Sequence, residues 1–148
     1  MKVKIAKTHA DSIIPQYKSA GAACFDLHAR FFDRSITDTV VVTPGNPQVF
    51  PTGVMVEIPE GHVMLVFSRS GHGFKDDTRL ANCVGIIDAD YRGEIMVKLT
   101  CDNGSLTIKH EDRVAQAMVV PIDRVEFEVV DALGETERGA GGFGSTGA

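Results

Sequence analysis

Apolar residues in this chain recur mostly at every second position, in short runs punctuated by glycine and proline. Val3 and Ile5 alternate with Lys2, Lys4 and Lys7, which predicts a half-buried strand near the start. Ile13-Ile14-Pro15 predicts a short edge segment, because proline cannot donate to a ladder. Val40-Val41-Val42 predicts another strand. Residues 49–58 and 62–67 predict two more, joined at Pro59-Glu60-Gly61 as a hairpin. Gly85-Ile86-Ile87 starts as a buried strand and runs into Asp90-Tyr91-Arg92-Gly93, a type I turn pattern with aspartate first and glycine fourth. Residues 95–99 leave that turn as a strand. Asp102-Asn103-Gly104 is a strong hairpin signal before the alternating Leu106-Thr107-Ile108-Lys109. Residues 113–122 are nearly all apolar, and Val125, Phe127 and Val129 predict a last alternating strand. No window of helical length has a clean 3.6-residue period. The pattern is all-β, a barrel or sandwich, with at most a short helix near residues 75–80.

The 148 residues suggest one domain with enough length for a real core. From Gly134 the chain changes character and becomes glycine-rich. Glycine loses the most entropy on ordering, so a domain over 1–133 and a flexible arm over 134–148 are expected. Residues 30–39 are polar and mixed, as in a surface loop. The net charge of -5 argues against an electrostatic nucleic-acid binder and leaves room for a small anionic ligand. Three cysteines (Cys24, Cys83 and Cys101) without CxxC spacing fit a reducing cytosol better than a disulfide scaffold or a zinc site. The N-terminus lacks a signal-peptide core and no apolar run approaches transmembrane length, so a cytoplasmic protein without membrane contact is expected.

Several stretches carry candidate chemistry. Asp88 and Asp90 are two residues apart and share one side of an extended backbone. Such a pair at a turn can hold a metal's water or take a proton from one; it also suits an ordinary hairpin with solvated aspartates. Tyr91 adds a flat ring beside them. Arg69, Ser70 and Gly71 follow an apolar strand and suit an oxyanion, with backbone N–H groups turned inward; an ordinary Gly-Ser turn reads the same way. Asn82 can read a base edge or cap the local backbone. Asp26, between Phe25 and Leu27, is read from alternation as pointing away from the core into solvent. Arg113 and Gln116 interrupt a buried run, and a buried arginine needs an anionic partner, for which Asp26 is one candidate. In the tail, Arg138, Ser145 and Thr146 can grip a terminal phosphate and Phe143 can stack on a flat ring. That tail is no Walker A loop, since it lacks a Lys-Ser/Thr pair and a following helix.

Five segments taken together resemble the trimeric dUTPase (dUTP nucleotidohydrolase) family. They are Ala23-Cys24-Phe25-Asp26-Leu27-His28-Ala29, Arg69-Ser70-Gly71, Gly85-Ile86-Ile87-Asp88-Ala89-Asp90-Tyr91-Arg92-Gly93, Arg113-Val114-Ala115-Gln116, and Arg138-Gly139-Ala140-Gly141-Gly142-Phe143-Gly144-Ser145-Thr146-Gly147. One such motif is weak; five in this order and spacing are highly specific. The resemblance implies a jelly-roll-like β-barrel or sandwich subunit and a homotrimer. It implies sites built from more than one subunit, with the C-terminal arm closing over one of them. It implies hydrolysis of dUTP to dUMP and pyrophosphate with Mg²⁺ on the triphosphate, which keeps uracil out of DNA and supplies dUMP for thymidylate synthesis. By position, Asp88 becomes the carboxylate that activates the attacking water, and Tyr91 the ring under the deoxyribose. Asn82 and the hairpin backbone through Glu94, Ile95 and Met96 become the uracil-reading wall, with Gly85 and Ile87 as further substrate contacts. Arg69, Ser70, Gly71 and Gln116 become phosphate contacts. Asp26 becomes part of a metal-water network with Arg113. Arg138, Ser145 and Thr146 become ligands of the terminal phosphate, Phe143 a cover for uracil, and Gly144 a further substrate contact.

The chain departs from the family pattern at Cys24, where glycine is common, at Ala140, where an acidic or polar residue is common, and at His72, where an apolar residue is usual. Residues 30–39 are longer than a minimal loop. None of these removes a proposed catalytic group; Ala140 and His72 bear on arm closure and phosphate holding. A dCTP deaminase would share the fold but needs a glutamate for amino-group chemistry. A nucleotide-binding trimer without catalysis would bind dUTP and release no pyrophosphate. A structural all-β protein would leave the tail unprotected by nucleotide.

Overall fold

A computed structural model describes residues 1–31, 39–142 and 145. In it the alternating runs become strands β1 (Lys4–Lys7), β2 (Phe25–His28), β3 (Thr39–Val42), β4 (Gln48–Pro51), β5 (Val54–Glu57) and β6 (His62–Phe67). One short helix, α1 (Ser70–Asp76), precedes β7 (Thr78–Leu80), β8 (Val84–Ile87), β9 (Met96–Cys101), β10 (Leu106–Lys109) and β11 (Arg113–Pro121). The main sheet has the order β2-β11-β6-β8 and a second has the order β4-β9-β7; β1 pairs β5 and β10 pairs β3. Every pairing is antiparallel. Among the described residues the strands form separate sheets and no closed barrel, an all-β arrangement compatible with a jelly-roll-like sandwich.

Period-two alternation sets which side chains enter the core. In β9, Val97, Leu99 and Cys101 are buried while Met96 and Lys98 are exposed. They meet Leu27, Val42, Phe50, Val54, Met64, Leu80, Ile108 and Val114 in one apolar cluster.

Three links expected as hairpins join different sheets instead. The Pro59-Glu60-Gly61 turn runs from β5, which pairs β1, to β6 in the main sheet. Asp102-Asn103-Gly104 runs from β9 to β10, which pairs β3. Residues 88–95 run from β8 to β9, again between sheets. Gly61 (φ 73°) and Gly104 (φ 76°) do adopt the turn geometry their positions suggest. Turn chemistry reverses the chain, but burial of the flanking strands decides which partner each takes.

Local details also differ from the sequence reading. The run 49–58 breaks at Thr52-Gly53 into β4 and β5. Gly53 has φ 75°, and a Cβ there would stand 2.2 Å from Ser12 Oγ. Residues 13–15 form no ladder; the neighbouring contact is an isolated bridge between Gln16 and Asp26. β1 is exposed throughout and β8 buries only Gly85, so neither is as buried as its apolar residues suggested. The loop expected over 30–39 falls mostly outside the described residues. Its first member, Arg30, is buried with its guanidinium 2.9 Å from Asp11. The last predicted strand does not form: Val125, Phe127 and Val129 are 70%, 88% and 96% exposed, and residues 122–140 are exposed throughout. An alternating segment needs a sheet to lie on, and the described residues of this chain offer it none.

Candidate active site

Asp88, Tyr91, Glu94, Ile95 and Met96 come together where β8 leaves the main sheet. With Ile86 and Ile87 they line a pocket of about 200 Å³. The turn that shapes it is Asp88-Ala89-Asp90-Tyr91, closed by Tyr91 N–H donating to Asp88 O at 3.2 Å. It lies two residues before the expected position, so Asp88 and Asp90 are not on one extended strand and do not form a side-by-side pair. Arg92 Nη1 donates to Ala89 O at 2.7 Å and to Tyr91 O at 2.9 Å, which ties the loop to itself. Tyr91 Oη donates to Glu94 O at 2.9 Å, fixing the ring over the next turn of chain. Asp88 is exposed at the rim and also borders a broader recess of about 600 Å³ that contains His62 and Arg124.

The far wall of the pocket is braced by the β4–β5 break. Glu94 Oε1 accepts from Gly53 N–H at 2.5 Å. Ile95 O accepts from Thr52 N–H at 3.1 Å and from Thr52 Oγ1 at 2.8 Å, and Ile95 N–H donates to Val54 O at 3.0 Å. The Glu94 carboxylate and the Ile95 carbonyl are therefore already engaged, and these two residues give the wall its shape and rigidity. Ile86 was missed as a lining residue. Its signal was available, since counting back by two from Asp88 puts Ile86 on the same exposed face. Asn82 is exposed rather than buried, and neither it nor Gly85 lines this pocket. Gly85 lies against Val66, where a Cβ would stand 3.0 Å from the valine Cβ.

A second cluster forms at the other end of the main sheet. Asp26 is 8% exposed, not solvated as alternation suggested. Arg113 Nη1 stands 3.2 Å from Asp26 Oδ2, and Arg69 Nε stands 3.5 Å from Oδ1. The pairing of Arg113 with Asp26 is as expected, though Arg113 keeps 42% of its side chain exposed. β2 and β11 carry the two partners in adjacent strands, Gln116 lying opposite Asp26. Gln116 Nε2 donates to Ser68 O at 2.9 Å and ties β11 to the segment bearing Arg69 and Ser70. The helix begins at Ser70 rather than near Lys75, so the Ser70 and Gly71 amides lie in its first turn, where amides lack intrahelical acceptors. Asp77, in the left-handed region at φ 45°, ends it.

Burial, reinforced by the Arg113 charge, pulls the Arg69 pKa below its ordinary value, while Asp26 opposes that. His28 and His72, not picked out as site residues, also belong to this cluster. Burial lowers the pKa of each, with Lys18 adding to the effect at His28 and Arg69 at His72. Burial, then the Asp26 charge, raises that of the Cys24 thiol. Among the described residues no group of three or more His, Cys, Asp or Glu side chains could hold a metal. Asp26, which the family resemblance places in a metal-water network, already faces two arginines. This donor set fits a divalent cation carried by a ligand's phosphates, not one caged by protein.

Asp88 and Arg69 do not meet within one chain. Ile87 pairs with Met64 near the start of β6, while Arg69 lies just past its end at Phe67. Asp88, one residue beyond Ile87, falls opposite Val63, six residues before Arg69, so the separation is on the order of 20 Å at about 3.3 Å per residue. The hydrogen bonds of the arm residues Arg138 and Ser145 stay within the arm. Arg138 Nε donates to Gly141 O at 2.8 Å, and Ser145 N–H to Gly142 O at 3.1 Å. Phe143, Gly144 and Thr146 lie outside the described residues.

A family model for dUTPase matches residues 10–147. A deoxyuridine 5'-triphosphate nucleotidohydrolase from Nautilia profundicola is 45% identical over 148 residues, covering 99% of both chains. Its counterpart from Bdellovibrio bacteriovorus is 41% identical over 97% of this chain and 93% of its own. Among solved structures, the dUTPase of Staphylococcus bacteriophage 80alpha with dUpNHpp superposes with a TM-score of 0.86 at 27% identity, covering 99% of both chains. A phage phi11 dUTPase, described with a structural Mg(II) ion, shares the fold with a TM-score of 0.76 at 24% identity, over 89% of this chain and 98% of its own.

Proposed function

The chain belongs to the dUTPase family, and from that membership we propose that it hydrolyses dUTP to dUMP and pyrophosphate by attack of an Asp88-activated water on the α-phosphorus. The observation that carries this reading is the braced pocket with Asp88 at its rim and the Tyr91 ring pinned to Glu94. An exposed carboxylate beside a pocket can accept a water's proton as the oxygen attacks phosphorus. Pyrophosphate then leaves with the electron pair of the broken P–O bond, and Asp88 returns its proton to solvent. Tyr91 lies under the deoxyribose, where a ribose 2′-OH would clash. The wall through Glu94, Ile95 and Met96 reads uracil, with Ile87 beside it and with Asn82 and Gly85 reaching the substrate from outside this pocket; cytosine reverses the donor–acceptor pattern and thymine's methyl meets the wall.

Arg69, Ser70, Gly71 and Gln116 hold phosphates, with Asp26 and Arg113 behind them. Because that cluster lies on the order of 20 Å from Asp88 in one chain, a complete site joins the pocket of one subunit to the charged cluster of another. The unpartnered alternation of Val125, Phe127 and Val129 supports the same assembly, a homotrimer in which this segment lies on another copy. Residues 134–148 act as the arm that closes over a site, with Arg138, Gly144, Ser145 and Thr146 on the terminal phosphate and Phe143 over uracil. The substrate phosphates would hold Mg²⁺, which would supply screening of their charge beside Arg69 and Arg113. All three cysteines are free thiols, in keeping with a reducing cytoplasm.

The test is pyrophosphate release from dUTP, dCTP, dTTP and UTP, with Mg²⁺ and with chelator. Release confined to dUTP and favoured by Mg²⁺ is expected. Equal release from UTP would overturn the role of Tyr91, and ammonia release from dCTP would overturn the hydrolase reading.

A further inference from the structure

Arg69 is steadied from three directions. Its Nε faces Asp26 Oδ1 at 3.5 Å, its Nη1 faces Arg113 O at 3.4 Å, and the same Nη1 lies 3.1 Å from His72 Nε2. A guanidinium has only donors, so His72 Nε2 must accept and the imidazole proton must sit on Nδ1. That Nδ1 is buried and has no partner among the described residues. Arg69 Nη2 makes no hydrogen bond among the described residues, which leaves it for a ligand oxygen. We propose that His72 is a positioning residue whose neutral imidazole holds the Arg69 guanidinium so that Nη2 can take a phosphate oxygen of the substrate. This inference rests on the reading of Arg69 as a phosphate contact.

The contact survives only while the imidazole is neutral, because an imidazolium has no acceptor for Arg69 and repels it. The charges facing His72 are Arg69 and Arg113, which disfavour protonation, and Asp76 and Asp112, which favour it. Burial outweighs all of them and holds the pKa below 6.5. Arg69 is thus held at neutral pH and released in acid. Leucine, of the apolar kind usual at this position in the family, would fill the space but give Arg69 no acceptor.

The experiment compares wild type, His72→Leu and His72→Gln in steady-state hydrolysis of dUTP from about pH 8 to about pH 5.5, together with binding of dUpNHpp and of deoxyuridine. His72→Leu is expected to raise KM for dUTP and weaken dUpNHpp binding about tenfold, the loss of one hydrogen bond to a charged group. Its kcat and its deoxyuridine affinity should hold within about twofold. His72→Gln, which keeps an acceptor, should restore most of the affinity. It should also lack the extra rise in KM that the wild type shows in acid; ionisation of the triphosphate is common to both proteins and cancels in the comparison. A folded His72→Leu with wild-type KM overturns the proposal, as do equal losses in both variants. If His72→Leu does not fold, identical pH profiles for wild type and His72→Gln overturn it. Absence of dUTP turnover in the wild type overturns the functional reading itself, a result these variants cannot mimic.

Discussion

The phenol of Tyr91 occupies the space that a β-carbon on Gly93 would need: such a carbon would stand 2.3 Å from the phenol oxygen and 2.6 Å from Cζ. Gly93 therefore makes room for the ring by close approach and not through a left-handed backbone. The ring is held there by its bond to Glu94 O. Gly93→Ala should displace the ring while leaving the sheets intact. Overpacking of this kind costs about 1–3 kcal/mol. We expect kcat/KM for dUTP to fall at least about tenfold, with circular dichroism unchanged. Tyr91→Phe, which loses one hydrogen bond worth about 1 kcal/mol, should be milder. Equal activity of Gly93→Ala and wild type would show that the ring position is unimportant.

Asp88→Asn removes the proton acceptor while keeping the shape of the pocket rim. Turnover should drop by about 10²–10⁴, the usual contribution of general-base catalysis, while dUpNHpp binds with near-normal affinity. Single-turnover hydrolysis and isothermal titration separate the two effects. Near-normal turnover would remove Asp88 from its role.

Asp26 is the shared partner of Arg69 and Arg113, so Asp26→Asn leaves two guanidinium groups facing a neutral amide. Removing one partner of a fully buried pair costs about 3–5 kcal/mol. Arg113 is half exposed and solvent offsets part of its loss, so roughly 2 kcal/mol is expected here. Urea unfolding measures it. Phosphate affinity should fall in parallel, because Arg69 loses a fixed anchor.

Acid should weaken the fold through two histidines. Burial depresses the pKa of His28 and His72 below 6.5 in the folded state. The unfolded chain then binds more protons than the folded one over the interval between the two values, so stability rises with pH there. The contribution is fully present above about pH 6.5 and is lost as pH falls through the folded values. Denaturant titrations from about pH 8 to about pH 5 should show this loss, and His28→Gln with His72→Gln should reduce it.

Truncation after Glu137 should leave a folded, assembled core with poor turnover, because the described arm residues are mostly exposed and hydrogen-bond within the arm. Phe127→Asp should act differently. Phe127 is 88% exposed in the single chain, so the substitution should leave each subunit folded but break its association, as read by light scattering. A Phe127→Asp protein that remains trimeric would remove this segment from the interface.

Much of the candidate site was legible in the sequence, Asp88 and Tyr91 from the residues themselves and the 94–96 wall from the family resemblance. Asp88, Tyr91 and the 94–96 wall are consecutive or nearly so, and one reversal of the chain gathers them into a pocket. The all-β class followed from alternation, since the same period that marks a strand marks its buried face. Turn residues were equally readable, as Gly61 and Gly104 adopt the left-handed values their motifs suggest.

What alternation could not say was which strand each turn would join, because Val and Ile on either side of a reversal can be buried against either sheet; only the assembled core settled that the links at 59–61 and 102–104 change sheets. Asp26 illustrates the same limit. Read along its strand it points to solvent, yet Arg69 and Arg113 arrive from segments 43 and 87 residues away in sequence (69 − 26 and 113 − 26) to bury it. His72 became part of the site in the same way, through a contact with Arg69 that depends on a one-turn shift in where the helix begins. Local chemistry, period and turn geometry belong to the sequence, since each depends on neighbours within a few residues. Strand partners, buried charges and the distance between Asp88 and Arg69 belong to the tertiary structure, since each is set by which distant surfaces exclude water together.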